Sequence, residues 1–158
     1  MVVIHKNPNS DTRTATDDVT FEEFQKANDM HISDVKNVMC DVAYMFMEAG
    51  NIHDYTKKAF EESYYEDFIN KLKNNVDFVS NKWYQTHIDL ERHHLDARCP
   101  EDVDLIDVME MIVDHVCAGL SRTGEVYKVD IDPNILTKAV NNTVELVKNR
   151  IIVMDEVK

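Results

Sequence analysis

The chain has 158 residues, 44% apolar and 30% charged, which is enough for one domain with a real core and tight for two. No apolar run approaches the length that a bilayer crossing needs, and the formal net charge of -13 disfavours duplex nucleic acid and anionic membranes, whose binding takes Lys and Arg to neutralise phosphates. With only Gly50, Gly119 and Gly124, neither a P-loop nor a GxGxxG turn can be written, so two large nucleotide-binding classes are excluded.

The N-terminus sets a short apolar patch directly before polar residues and lacks the sustained apolar core of a signal peptide. Cys40, Cys99 and Cys117 are odd in number, widely spaced and without a CxxC pair, as expected of reduced thiols rather than a disulfide framework or zinc ribbon. A cytoplasmic chain is the expectation. Residues 5–18 are rich in Asn, Asp, Ser and Thr, so 1–19 read as a flexible arm and 20–158 as one helical domain. Thr20 with Glu23 three residues on is a capping box. Beyond it Val35, Val38, Val42, Met45, Phe46 and Ala49 recur at three- and four-residue steps, predicting an amphipathic core helix that stops at Gly50–Asn51. Further helices are expected over 59–72, 75–97, 102–120 and 133–150, the last with Asp132 as N-cap and Pro133 at the first helical position. No repeat is present, and 126–131 is the one candidate extended piece. The predicted fold class is all-α, a single-domain helical bundle.

Six of the seven histidines lie between positions 31 and 115, in company with carboxylates. His31, one turn before Val35, falls on the inward side of its helix; alone, such a residue is more often a core histidine than a ligand. His53-Asp54 follows the helix stop, where a turn presents an imidazole beside a carboxylate. In THIDLERHHLD, His87, Glu91 and His94 stand at i, i+4 and i+7 on one helical stripe, although Asp89, Arg92 and Asp96 fit a solvated face equally well. On 102–120, Leu105, Met109, Val113, Val116 and Leu120 form the apolar stripe. Asp107, Glu110 and Asp114 gather opposite, facing water or a polar cleft.

The ordered series His31, His53-Asp54, Asp114 resembles the H...HD...D signature of the HD-domain phosphohydrolase superfamily over residues 28–120. The run HDYTK looks like its HD-x-x-K version, and His87 with His93-His94 is similar to the extra histidines of two-metal members. Glu66-Asp67-Phe68 and the run Glu110 to Asp114 look like small HD-like proteins carried by bacteriophages. This likeness implies an HD-type bundle holding one or two divalent ions (Mn, Fe, Co, Ni, Zn or Mg) on His31, His53, Asp54 and Asp114, with His87 and one of His93 and His94 holding the second. It implies hydrolysis of a phosphate ester or anhydride of a nucleotide by metal-bound hydroxide, in a host cytoplasm if the chain is phage-encoded. Lys57 would lie near the phosphate, Asp54 at the reacting centre, Glu91 would be ligand or general base, and Lys58 and Arg92 would contact substrate if they face the cleft. Trp83, Tyr84, Tyr55, Tyr64 and Tyr65 are candidates for a base-stacking wall. Two alternatives stand beside this reading: a non-catalytic nucleotide-binding or inhibitory protein on an HD-like frame, and an acidic helical module that docks a basic partner. The C-terminal stripe Leu136, Val140, Val147 and Ile151 completes the core or pairs with a second subunit in a homo-oligomer.

Overall fold

The computed structural model describes residues 1–96 and 98–155. Ala97, at the end of the expected 75–97 helix, and positions 156–158 of the expected helical domain lie outside the described residues. The chain is mostly helical, as its pattern predicts, and no described helix is long and apolar enough to cross a membrane. Its contacts divide into two compact units, one of Met1–Met45 with the segment from Val144, the other of Phe46–Thr143.

In the first unit, strand β1 (Val2–His5) pairs in parallel with β2 (Ile151–Met154), in the register Val2 to Ile151 and His5 to Met154. Neither strand was expected, because four residues are too few to display an alternation. Helix α1 (Phe21–Ile52) begins at the anticipated capping box: Glu23 Oε2 accepts from the Thr20 amide at 2.9 Å, and Thr20 Oγ1 accepts from the Glu23 amide at 3.3 Å. Arg150 grips Asp41 of α1 with two guanidinium nitrogens at 2.5 and 3.0 Å. The expected inward stripe of α1 is only half-covered, with Val38, Val42, Met45 and Ala49 half-buried. Val35 and Phe46 are exposed and Ala27 is the helix's buried residue.

The second unit takes the end of α1 and then α2 (Tyr55–Ala59), α3 (Glu61–Asn74), α4 (Lys82–Leu90), α5 (Leu105–Thr123) and the greater part of α6 (Pro133–Asn149). The predicted 75–97 helix is reduced to α4: Asn75 closes α3 in the left-handed conformation, and Glu91 is already extended at the end of α4. Residues 126–131 form no strand. Helix α5 opens on a second capping box, with Asp104 Oδ1 accepting from Ile106 and Asp107 amides while Asp107 accepts from the Asp104 amide. It closes at Gly124, whose φ of 77° suits glycine. Gly119 is required by packing, since a Cβ there would stand 2.4 Å from the Glu125 carbonyl oxygen.

The core of this unit is Val103, Val108 and Ala139, ringed by Leu95, Cys99, Leu105, Ile112, Ile131 and Ile135. Asn142 donates to the Val103 carbonyl at 2.8 Å, and Thr143 Oγ1 accepts from the Leu105 amide at 2.8 Å. Asp132 caps α6 as predicted, accepting from the Asn134 amide. The apolar stripe of α5 is largely turned outward, and that of α6, for which the core and a second subunit were both open, is exposed at two of its four residues. On α5, Met109, Val113 and Leu120 are exposed while Ile106, Asp107, Val108 and Met111 are buried; on α6, Leu136 and Val140 are exposed while Ala139 is buried. The reason on α5 lies in its polar face, which has partners to meet inside.

Candidate metal centre

Helix α1 runs through the expected stop at Gly50–Asn51 to Ile52, and His53 and Asp54 form the turn into α2. Asp54 takes the left-handed conformation, φ 55° and ψ 30°. Outside glycine this conformation costs roughly 1 kcal/mol or more and is tolerated best by Asp and Asn. The kink sends the Asp54 carboxylate inward, and α2 then places Thr56 and Lys57 beside it. From the other side, α4 supplies His87 in its last turn. Because the chain leaves the helix at Glu91, His93 and His94 fold back over His87 instead of continuing its stripe. Helix α5 supplies Glu110 and Asp114, one turn apart.

These elements gather five ligand-type residues into two groups that share one carboxylate: His53, Asp54 and His93; and Asp54, His87 and His94. Nε2 of His53 is 3.4 Å from Asp54 Oδ2 and 3.6 Å from Asp114 Oδ1. Nε2 of His87 and Nε2 of His93 are 3.5 and 3.7 Å from Asp54 Oδ1, and Nε2 of His94 is 3.0 Å from Nε2 of His87. Ligand atoms about 2.0–2.2 Å from a tetrahedral ion stand roughly 3.3–3.6 Å from one another. The observed edges are close to that spacing, and longer than hydrogen bonds except between His87 and His94. Asp54 Oδ1 and His93 Nε2 are both buried without a hydrogen-bond partner. Two orphaned polar atoms aimed at one another are costly without a third group between them, so the donor set fits a divalent ion.

Nδ1 of His53 and His93 faces the Glu110 carboxylate and Nδ1 of His87 a hydroxyl. His53 Nδ1 is 2.8 Å from Glu110 Oε1, and His93 Nδ1 approaches the same oxygen at 3.0 Å, off hydrogen-bond alignment. His87 Nδ1 is 2.7 Å from Thr56 Oγ1, whose proton goes to Glu91 Oε1 at 2.5 Å. A hydroxyl has one proton to give, so His87 must be the donor in that bond and its Nε2 keeps the lone pair. Trp83 stacks on the His87 ring at 5.0 Å between centroids, and Tyr64 stacks on Trp83 at 4.0 Å. These two aromatics therefore back a histidine; Tyr55 and Tyr65 are exposed.

Electrostatics separate the groups. Burial, together with His94 and Lys57 nearby, pushes His87 down to about 4, so it is neutral at pH 7. Burial and His93 also lower His94. Burial opposes the charged form of His93, but the Glu110 carboxylate outweighs it and raises the ring. Burial likewise opposes the Asp54 carboxylate, yet Lys57, His53 and His87 hold it below its usual range.

Of the residues expected at a site, His53, Asp54, His87, His93 and His94 come together, with Asp114 against His53. Lys57 pairs directly with Asp54 Oδ2. Glu91 is near but engaged, accepting from both the Thr56 amide and hydroxyl. His31 is neither buried nor in either ligand group: it is exposed in the first unit, lining a groove with Ile4, His5, Met30 and Asp34. Lys58 is exposed and pairs with Glu61. Arg92 points away to Asp107, at 2.8 Å for two nitrogens, and to Asp102 at 3.1 Å. Glu110 and Thr56 were not expected as site residues. Glu110 had a legible signal in sharing the polar face of α5 with Asp114; Thr56 had none. Compared with protein-family models, curated proteins and solved structures, the chain matches none.

Proposed function

We propose that this chain is a metal-dependent phosphohydrolase whose ions are held by His53, Asp54 and His93 and by Asp54, His87 and His94, with Asp54 common to both. The observation that carries the reading is the convergence of four Nε2 atoms and a strained, half-orphaned carboxylate on one small volume. Mixed imidazole and carboxylate ligands suit Mn, Fe, Co, Ni or Zn. A divalent ion in such a site supplies Lewis acidity that polarises a phosphoryl oxygen and makes water nucleophilic at neutral pH.

This chain's own residues divide the rest. Glu110 and the Thr56–Glu91 pair hold the histidine rings so that Nε2 faces inward, as outer partners of metal-binding histidines do. The Lys57 ammonium, on Asp54 and about a third exposed, is the cation that can turn to a phosphoryl oxygen and offset its growing charge. Asp114 is the remaining partly exposed carboxylate at His53, and it takes the role of proton acceptor that Glu91, committed to Thr56, cannot fill. Arg92 and Lys58 have no part in this reading.

The test is metal content by mass spectrometry on untagged protein, wild type beside Asp54→Asn, followed by hydrolysis of phosphomonoesters by the metal-replete protein. One or two ions per chain, lost in Asp54→Asn with helical circular dichroism retained, and turnover lost with them, support the reading. A wild-type protein that takes up no ion after reconstitution with Mn, Fe, Co and Zn refutes it.

A further inference from the structure

The uncovered apolar stripe of α5 forms one wall of a groove of about 350 Å³ that ends at the candidate centre. Phe46 and Ala49, from the last turns of α1, face Ile106, Met109, Val113 and Cys117 of α5; the polar end is His53, Glu110 and Asp114. Small-molecule sites are commonly concave, apolar and furnished with a few convergent polar groups. The rotation of α5 that turns Glu110 and Asp114 toward the histidines is the same rotation that opens this wall. Phe46, Met109 and Val113 are 36%, 45% and 52% exposed, so the wall is open to an incoming ligand.

The chemistry of the lining selects among phosphorylated compounds. Among the described residues no Lys or Arg lines the groove, and its two carboxylates are Glu110 and Asp114. A triphosphate, with up to four negative charges, would gain no cation there and would face two anions. Among the described residues, the side chains of the apolar wall offer no hydrogen-bond partner beyond the weak Cys117 thiol and Met109 thioether. A nucleobase edge or ribose hydroxyls laid along it would surrender bonds to water without replacement, which is unfavourable for each group so buried. An alkyl or aryl body surrenders none and gains burial.

We propose that the groove binds the leaving group of the substrate, and that the substrate is a phosphomonoester of an apolar, alkyl or aryl alcohol rather than a nucleotide. This rests on the phosphohydrolase reading for the reaction but on the groove alone for the leaving group. In the step, the oxygen of water bonds to phosphorus as the bond from phosphorus to the alcohol oxygen breaks. The electron pair leaves with that oxygen, which takes up a proton that water has lost, so that ester and water become alcohol and inorganic phosphate.

The experiment uses 1-naphthylmethylphosphonate, which cannot be hydrolysed, adenosine 5′-monophosphate and uncharged 1-naphthol, with the full chain in the presence and absence of Mn²⁺. Binding is read by calorimetry and by the rate at which maleimide alkylates Cys117, mapped by mass spectrometry. Cys40, exposed in the first unit, is the internal control. Expected are at least tenfold tighter binding of the naphthyl phosphonate than of the adenosine monophosphate, protection of Cys117 and not of Cys40, and loss of the preference in Val113→Asp but not in Val113→Leu. Protection by 1-naphthol in metal-free protein that never takes up an ion would leave the groove standing and sink the hydrolase reading. Tighter binding of the nucleotide, unchanged Cys117 reactivity at saturating ligand, or protection that depends on protein concentration alone would overturn the groove assignment.

Discussion

Thr56 Oγ1 lies 2.7 Å from His87 Nδ1 while giving its own proton to Glu91, so a buried hydroxyl fixes which nitrogen of His87 is free. Thr56 is fully buried, and His87 and Glu91 nearly so, which makes each member of the chain costly to leave unpaired. Thr56→Val should lower metal affinity roughly 10- to 100-fold, the range found for outer partners of metal-binding histidines, and Thr56→Ser should restore most of it. Competition against a chromophoric chelator measures both. Equal affinities for wild type and Thr56→Val would show that the ring is oriented by Trp83 stacking alone.

Asp54 is common to both ligand groups, whereas each histidine pair belongs to one. Removing His53 and His93 together, or His87 and His94 together, should therefore leave one ion where wild type holds two, and Asp54→Asn should leave none. Metal stoichiometry on folded protein decides this. Loss of all metal in either histidine double variant would mean a single shared site.

Arg92 was expected at the substrate and instead neutralises Asp107, a carboxylate buried at the start of α5 whose protonated form is favoured by burial and opposed by that guanidinium. Arg92→Ala should destabilise the fold by about 1–3 kcal/mol, the cost of leaving a buried polar group unsatisfied, while the metal bound per folded chain stays unchanged. Urea denaturation read beside metal content separates the two effects. A metal-binding defect without a stability defect would return Arg92 to the site.

Two glycines in helices should respond in opposite directions. Gly50 has nothing within 4 Å of an added Cβ and no special φ, so Gly50→Ala should stabilise α1 by roughly 0.5–1 kcal/mol. At Gly119 the added carbon meets three backbone atoms within 3.2 Å, and Gly119→Ala should cost about 1–3 kcal/mol through overpacking. Thermal midpoints of the two variants measured under one condition provide the comparison.

In metal-free protein, His87 should make stability fall with acid. Its folded value of about 4 lies below the ordinary 6.5, so between these values the unfolded chain binds a proton that the folded chain refuses. The contribution is fully present above 6.5 and is lost as pH falls toward 4. Thermal midpoints of wild type and His87→Gln, followed from pH 7 to 4 in chelator, should converge as pH drops. Parallel curves would place the His87 titration near its ordinary value.

The elements of the fold that local rules govern were legible in the sequence. Thr20 with Glu23 and Asp132 with Pro133 mark helix starts because a cap satisfies free amides within a few residues of itself. The ligand types were legible too, since His53-Asp54, His87, His93, His94 and Asp114 stand out by chemistry. Tertiary structure decided how they meet. The left-handed turn at Asp54, the break after Leu90 and the rotation of α5 are each settled by partners distant in sequence, and hydrophobic periodicity assigns a helix face only when its polar side has nothing inside to bind. His31 shows the same limit from the other direction: its spacing to Val35 and Val38 implied burial, but a stripe is buried only where another element covers it, and the sequence of one helix does not contain that element.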